Sequence, residues 1–152
     1  MITPTALQRA ARREILTRAR NAAALLALVP KANIDPIGVK PWPIIMVEAP
    51  QMLPRRMACA NGADVSFDVH AFAGPKKEPD GFGGETVVQT GYDHICAIGE
   101  QIDTVLAPNN ITLEDGSHCK LSFSDVRILK DVDPDHWHWF GQLNCRVLKA
   151  VA

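Results

Sequence analysis

Val65-Ser66-Phe67-Asp68-Val69-His70-Ala71-Phe72-Ala73 alternates apolar and polar side chains along its whole length. Side chains of a strand point to opposite faces in turn, so Val65, Phe67, Val69 and Ala71 share one side, and Ser66, Asp68, His70 and Phe72 the other. The run reads as a strand with one buried face. Working outward, Val88, Gly91, Ile95, Ile98, Ile102 and Val105 recur at spacings of three and four, which makes one apolar stripe on a helix placed from about Glu85 to Leu106. A one-sided strand and a one-sided helix are each incomplete, and burying them against each other is the simplest completion.

The flanks extend this pattern. Thr3-Pro4 opens a first helix as cap and first residue. Leu7, Ala11, Ile15, Ala19 and Leu26 form its stripe, and Leu28-Val29-Pro30 closes it. Arg9, Arg12, Arg13, Arg18 and Arg20 lie mostly off that stripe, as a solvated basic face or as a contact for an acidic partner or a nucleic-acid backbone. Ile44 to Val47 is a short strand, antiparallel to 65–73. Between them, Pro50 and Pro54 bracket a loop through Arg55-Arg56, and Asn61-Gly62 signals a turn. Residues 74–84 (Gly-Pro-Lys-Lys-Glu-Pro-Asp-Gly-Phe-Gly-Gly) read as a mobile surface loop. Asp115-Gly116 marks a hairpin before an alternating run from Cys119 to Leu129, with a change of face near Asp125-Val126. Asp131 to Asp135 is a turn, and His136 to Lys149 returns as the last strand. Trp137, Trp139, Gly141, Leu143, Cys145 and Val147 share one of its faces. The sum is an α+β fold with one mixed or antiparallel sheet and two packed helices, in a single domain over residues 1–152.

Composition restricts function. Apolar residues make 47% and charged residues 22% of 152 residues, and the formal net charge is −1, so no global field draws in nucleic acid or an anionic membrane. The longest apolar run, Ala22 to Pro30, is too short to cross a bilayer. The arginines suggest a transit peptide, but Glu14 and the continuity of the helix speak against one. Cys59, Cys96, Cys119 and Cys145 are scattered without the Cys-x-x-Cys spacing of a zinc or redox site, and read as thiols in a reducing compartment.

Few residues suggest catalysis. His136 and His138 lie two apart on a strand and share a face, so they would hold a metal if His94, Asp133 or Asp135 joined them, which gives a small metal-dependent hydrolase as the alternative function. His118-Cys119 and His94-x-Cys96 are geometrically poorer pairs. Asp125, Asp131, Asp133 and Asp135 cluster at one turn, where acidic residues mostly cap backbone. The loop 74–84 has neither a phosphate-binding nor a calcium-binding pattern. No cofactor or metal site follows from these motifs. Trp42, Trp137 and Trp139 serve either the core or an interface.

The order of these pieces resembles a known family. The helix ending Ala-Leu-Leu-Ala-Leu-Val (24–29), then Ile34-Asp35-Pro36, Trp42-Pro43-Ile44-Ile45-Met46-Val47-Glu48, the 65–72 strand, the Gly-rich loop with the helix after it, and Leu129-Lys130-Asp131-Val132-Asp133-Pro134-Asp135 with the closing strand are similar to the tail-terminator (tail-completion) proteins of long-tailed bacteriophages and gene transfer agents. Phe72 stands where that family commonly has Trp. The resemblance implies a non-enzymatic virion neck protein without cofactor, assembled in the host cytoplasm. Its copies would form a hexameric ring that caps the tail tube, stops its polymerisation and joins it to the head-side connector or stopper protein. DNA would pass through the channel without specific binding, and no membrane is involved. Within that picture the interface residues are Arg55, Arg56, Lys76, Lys77, Phe82, Trp137 and Trp139.

Overall fold

Thr3 caps the first helix through its side-chain oxygen, which accepts from the Ala6 amide at 3.2 Å, with Pro4 in the first turn. The computed structural model describes residues 3–48, 51–56 and 60–150, with the backbone path alone for Pro4, residues 52–56, 60–61 and 149–150. The elements are α1 (Pro4–Asn21), α2 (Ala23–Leu26), a 3-10 turn (Lys31–Asn33), β1 (Ile44–Val47), β2 (Gln51–Arg56), β3 (Ala60–Ala73), β4 (Lys76–Pro79), β5 (Glu85–Gln89), α3 (Gly91–Leu106), β6 (Asn109–Thr112), β7 (His118–Lys130) and β8 (Trp137–Ala150).

Six strands form one antiparallel sheet in the order β1-β3-β8-β7-β6. β1 and β2 share the outer edge of the long β3: Ile44–Val47 lie along Val69–Phe72, and Gln51–Arg56 along Asn61–Ser66. The register puts Val65 opposite Cys145, Phe67 opposite Leu143, and Ala71 opposite Trp139. These residues are fully buried, and so are Ile95, Ile98 and Ile102 of α3, which cover them. α1 packs beside α3, with Leu7, Ala11, Ile15 and Ala19 inward. The class is α+β, as the alternation requires.

The change of face on β7 is a bulge. Phe123 pairs with Leu143 and Asp125 with Gln142, so one extra residue enters the strand between them. Cys119, Leu121 and Phe123 face the helices before it; Val126 and Ile128, opposite Gly141 and Trp139, take that face after it.

Several boundaries differ from the sequence reading. The helix begins at Gly91, not Glu85, because Thr86-Val87-Val88 is β-branched and Thr90 caps the helix by accepting from the Asp93 amide at 3.2 Å. Residues 85–89 are instead strand β5, paired with Lys76–Pro79 in a separate two-stranded ribbon. The stretch 74–84, expected as a loop, therefore holds strand β4 over Lys76–Pro79, and its turn is closed by the Asp80 carboxylate, which accepts from the Phe82 and Gly84 amides at 2.7 and 3.1 Å. Arg55-Arg56 belongs to a strand, and Asn61-Gly62 lies inside β3 rather than in a turn. The first helix breaks at Ala22, whose φ of −83° and ψ of 105° are not helical, and restarts as a third, short helix that brings Leu25 into the core.

Helix α3 meets the sheet at closest range through Gly99. A Cβ there would stand 2.5 Å from Trp139 Cδ1, and one at Gly141 would stand 2.5 Å from Trp139 Cη2. Ile98→Ala should therefore cost about 2–5 kcal/mol through lost burial and a residual cavity. Gly99→Ala should cost about 1–3 kcal/mol through overpacking. Urea denaturation of both variants checks this; a wild-type midpoint for Ile98→Ala would remove α3 from the core.

Candidate functional site: the open face of the sheet

Every helix lies on one side of the sheet, so the other side is built only from alternate strand residues. At one end these are aromatic. His70 and Phe72 of β3 stand beside Phe140 and His138 of β8, because β3 pairs Phe72 with His138 and His70 with Phe140. The His138 ring stacks on Phe72 (centroids 4.3 Å) and on His70 (4.9 Å). Trp42 extends the group, 5.2 Å from Phe72 and 5.4 Å from His136. Asn33 fixes the approach of Trp42: its buried side-chain amide donates to the Pro41 and Pro43 carbonyls at 2.8 and 2.9 Å.

His70 Nδ1 and His138 Nε2 are 2.7 Å apart, a hydrogen bond that needs one donor and one acceptor. Both rings cannot carry protons on the facing nitrogens, so this pair holds at most one imidazolium. His70 Nε2 is buried and makes no hydrogen bond, but the Glu48 carboxylate lies 3.5 Å away. The tautomer that suits both neighbours places the proton on His70 Nε2, toward Glu48, and lets Nδ1 accept from His138 Nε2–H. Burial, then the neighbouring His70, hold the His138 pKa below its ordinary value, against the opposing pull of Asp131 and Glu48.

Toward the other end the open face is polar and pairs with itself. Arg146 Nε donates to Asp64 at 3.2 Å across β8 and β3, Ser66 to Asn144 at 3.2 Å, and Arg127 to Asp125 at 2.8 and 3.1 Å. Beside the aromatic end, a cleft of about 510 Å³ lies between Trp42, Pro43, Gly74, Pro75, the root of β4 at Lys76 and Lys77, His94 and His136. Its histidines are occupied: His94 Nδ1 donates to the Gly74 carbonyl at 2.9 Å, and His136 Nδ1 to the Pro134 carbonyl at 2.7 Å.

The residues singled out from sequence are distributed as follows. Lys76 and Lys77 are exposed on β4, and Phe82 is 95% exposed at the ribbon tip. Trp137 is half-buried, edge-on to Tyr92, with its Nε1–H 3.3 Å from Asp135 Oδ1. Trp139 is only 2% exposed and packs edge-on to Phe123, so it belongs to the core and not to the subunit surface. The backbones of Arg55 and Arg56 pair with Gly62 and Asn61; their side chains lie outside the described residues. His138 is partnered by His70 and not by His136. Asp135 accepts from the Gly91 amide at 2.8 Å, which holds its carboxyl below the usual range, and Asp131 accepts from the Val132 amide at 2.6 Å. These aspartates cap backbone. Among the described residues no three His, Cys, Asp or Glu side chains converge as a metal site. The arrangement does not assemble the hydrolase centre that His136, His138 and the aspartates suggested.

The basic face of α1 is also largely committed to its own chain. Arg12 donates to Asp35 at 2.5 Å and to the Val47 carbonyl at 3.1 Å, Arg20 to the Ile34 carbonyl at 3.0 Å, and Arg13 and Arg18 pair with Glu114 and Glu14. This clamp ties the 34–35 turn to the edge strand. Sequence reasoning had no signal for it, nor for the His70–His138 pair, which needs the register of two strands 68 residues apart.

Comparison with known proteins follows the same lines. A sequence-family model described as "Tail completion protein gp17" matches residues 13–148. No curated protein matches the chain by sequence at a significant level. Among solved structures, a chain of the "Virion of native gene transfer agent (GTA) particle" is similar with a TM-score of 0.67, over 94% of this chain and 95% of that one, at 16% identity. At that identity the likeness is one of fold.

The histidine pair sets a pH dependence. The native state resists a proton at His138 that the unfolded chain accepts near its ordinary pKa of about 6.5. The stability contributed by neutral His138 is therefore complete above that pH and declines as pH falls below it. The wild-type urea midpoint should drop further between pH 7.5 and pH 5 than that of His138→Gln; equal drops would remove His138 from the acid response.

Proposed function

Because the chain belongs to the tail completion protein gp17 family, structural proteins of the virion tail, we propose that it is the ring that ends the tail tube. In this reading six copies seat on the finished tube, stop its polymerisation, and present their other side to the head-side connector or stopper protein. The observation that carries it is the family match over residues 13–148, supported by the likeness of fold to a chain of a gene transfer agent virion. The chain acts as one domain, located in the particle after assembly in the host cytoplasm.

The surface suits such a part. A ring component must meet copies of itself and two unlike neighbours, and this chain carries exposed apolar side chains in several separate places: Ile37 and Val39 before β1, Phe82 on the ribbon, and Val126, Ile128 and Leu129 on β7. Exposed apolar groups in such number mark contact surfaces in an assembly. The open sheet face suits a channel wall for DNA, since Arg146 and Arg127 are already paired with Asp64 and Asp125 and offer phosphates little grip. Nothing in the His136 and His138 geometry favours the hydrolase.

Arg55 and Arg56, on the edge strand β2, are assigned here to a subunit or tube contact, together with Lys76, Lys77, Phe82 and Trp137. Guanidinium groups bind carboxylates bidentately, which suits that role. With both side chains at such a contact and not in the core, Arg55→Ala/Arg56→Ala should fold normally, since surface changes rarely exceed about 0.5 kcal/mol. In a producer strain it should give tails of uncontrolled length or tails that do not join heads, scored by electron microscopy. Normal tails joined at normal yield would release these arginines from the contact. Negative-stain images of wild-type protein on purified tail tubes test the ring itself; tubes without a terminal ring would overturn it.

A further inference from the structure

Among the strand edges that have no partner strand within the described residues, two carry exposed branched apolar side chains. β6 pairs only with His118–Leu121 of β7, so the outer edge of Ser122–Lys130 has none. On that edge Val126, Ile128 and Leu129 are 46, 36 and 47% exposed. The second edge belongs to β5, whose single pairing is with β4. Val87 and Val88 are both about half exposed, and Val88 is the extra residue of a bulge, since Val87 pairs with Lys77 and Gln89 with Lys76.

The composition of the ribbon distinguishes its two edges. β4 carries Lys76, Lys77 and Pro79, residue types that blunt an edge against pairing. β5, Glu85-Thr86-Val87-Val88-Gln89, has no lysine and no proline, and its β-branched residues favour an added strand. An isolated two-stranded ribbon is marginal in water, so a covered β5 would also stabilise the ribbon itself.

We propose that β5 of one copy adds to the free edge of β7 in the next copy, running antiparallel with Glu85 beside Lys130 and Val87 beside Ile128, the regular part of β5 before its bulge. This rests on the ring reading and specifies its subunit contact. Charge chooses the direction: antiparallel pairing brings Glu85 to Lys130, whereas parallel pairing would bring Glu85 toward Asp125. Topology chooses the partner. The ribbon is rooted at the end of β3, and β8 separates β3 from β7, so the free edge of β7 faces away from the ribbon of its own subunit. One copy therefore gives an edge and receives another at a different place, a head-to-tail contact that generates rings when the rotation closes.

The test is cross-linking in assembled particles. With Val87→Cys and Ile128→Cys combined, mild oxidation of particles from a producer strain should give a ladder of covalent oligomers on non-reducing gels, absent from either single variant. A double variant that assembles and joins normally but gives no more cross-link than the single variants would overturn the contact. Should cysteine disturb assembly, charge reversal decides: Glu85→Lys and Lys130→Glu should each lower joined-particle yield roughly tenfold through like charges in contact, and together restore it. Failure of the pair to restore yield would overturn the proposal. Microscopy of the wild-type particles separates the two readings: a terminal ring without this cross-link overturns only the contact, whereas tails without a terminal ring overturn the ring reading and the contact with it.

Discussion

Trp139 is the side chain around which the rest of the fold is fitted. It sits on β8, the central strand between β3 and β7, and its indole fills the space left by two missing side chains. Gly99 lets α3 approach its pyrrole side, and Gly141 leaves room for its six-membered ring two residues along the same strand. Phe123 closes the seat edge-on at 5.5 Å from β7. Four requirements thus meet in one place: the height of α3 above the sheet, the register of β8 against β3, the register of β7 against β8, and the bulge that keeps Phe123 and then Val126 on the same face. A slip of one residue in either pairing would turn Trp139, Leu143 and Cys145 to solvent together. Large aromatic burial next to glycine gives both the energy and the uniqueness of this packing.

A consequence is that the fold has only one apolar layer. α1, α2 and α3 all lie on the Trp139 side, and the opposite face of a long sheet is left to polar and aromatic residues. That face is not featureless. Arg146 pairs with Asp64 across strands and Arg127 with Asp125 along β7, and among the described residues the buried side-chain polar atom without a hydrogen bond, His70 Nε2, lies 3.5 Å from the Glu48 carboxylate. At the same end, Trp42 is held by the Asn33 amide through the loop carbonyls on either side of it, and the Arg12–Asp35 clamp anchors that loop to β1. The aromatic patch is therefore positioned by hydrogen bonds from the helix layer, although it belongs to the other side of the sheet.

How much of this was legible in the chain depended on the range of the interaction. Alternation in 65–73, the stripe of Ile95, Ile98 and Ile102, the Thr3-Pro4 cap and the Asp115-Gly116 turn are local, and each leads directly to the element observed. The change of face near Asp125 was legible too, because a bulge leaves a break in alternation. Where local signals compete, the reading failed. Val88 fits the helical stripe by spacing, but Thr86-Val87-Val88 pairs with β4 and Thr90 starts the helix after it. Asn61-Gly62 has turn composition, yet a long strand with partners on both sides overrides it. Pro54 has loop composition, although an edge strand tolerates it. By residue type Trp139 suits an interface, while its burial depends on Gly141 two residues along its own strand and on Gly99, which only the packing of α3 brings to it. The family resemblance succeeded because it rests on the order of elements, which local boundary errors do not disturb.

The same distinction explains why a structural role leaves so little trace in motifs. A catalytic centre needs particular atoms converging within a few ångström, and such sets recur as short patterns. A ring subunit needs surfaces that are stable when covered and tolerable when bare, which is a property of edges and exposed apolar side chains. In this chain the protected edge at Lys76, Lys77 and Pro79 and the unprotected edge at Thr86-Val87-Val88 lie on two strands of one ribbon. In the proposed ring, blunting one edge while leaving the other able to pair would restrict association to a single direction, which closes into a ring where the rotation between copies allows it. Should the open sheet face line the channel of the proposed ring, its arginines, already engaged by aspartates, would let a polyanion slide past without being held.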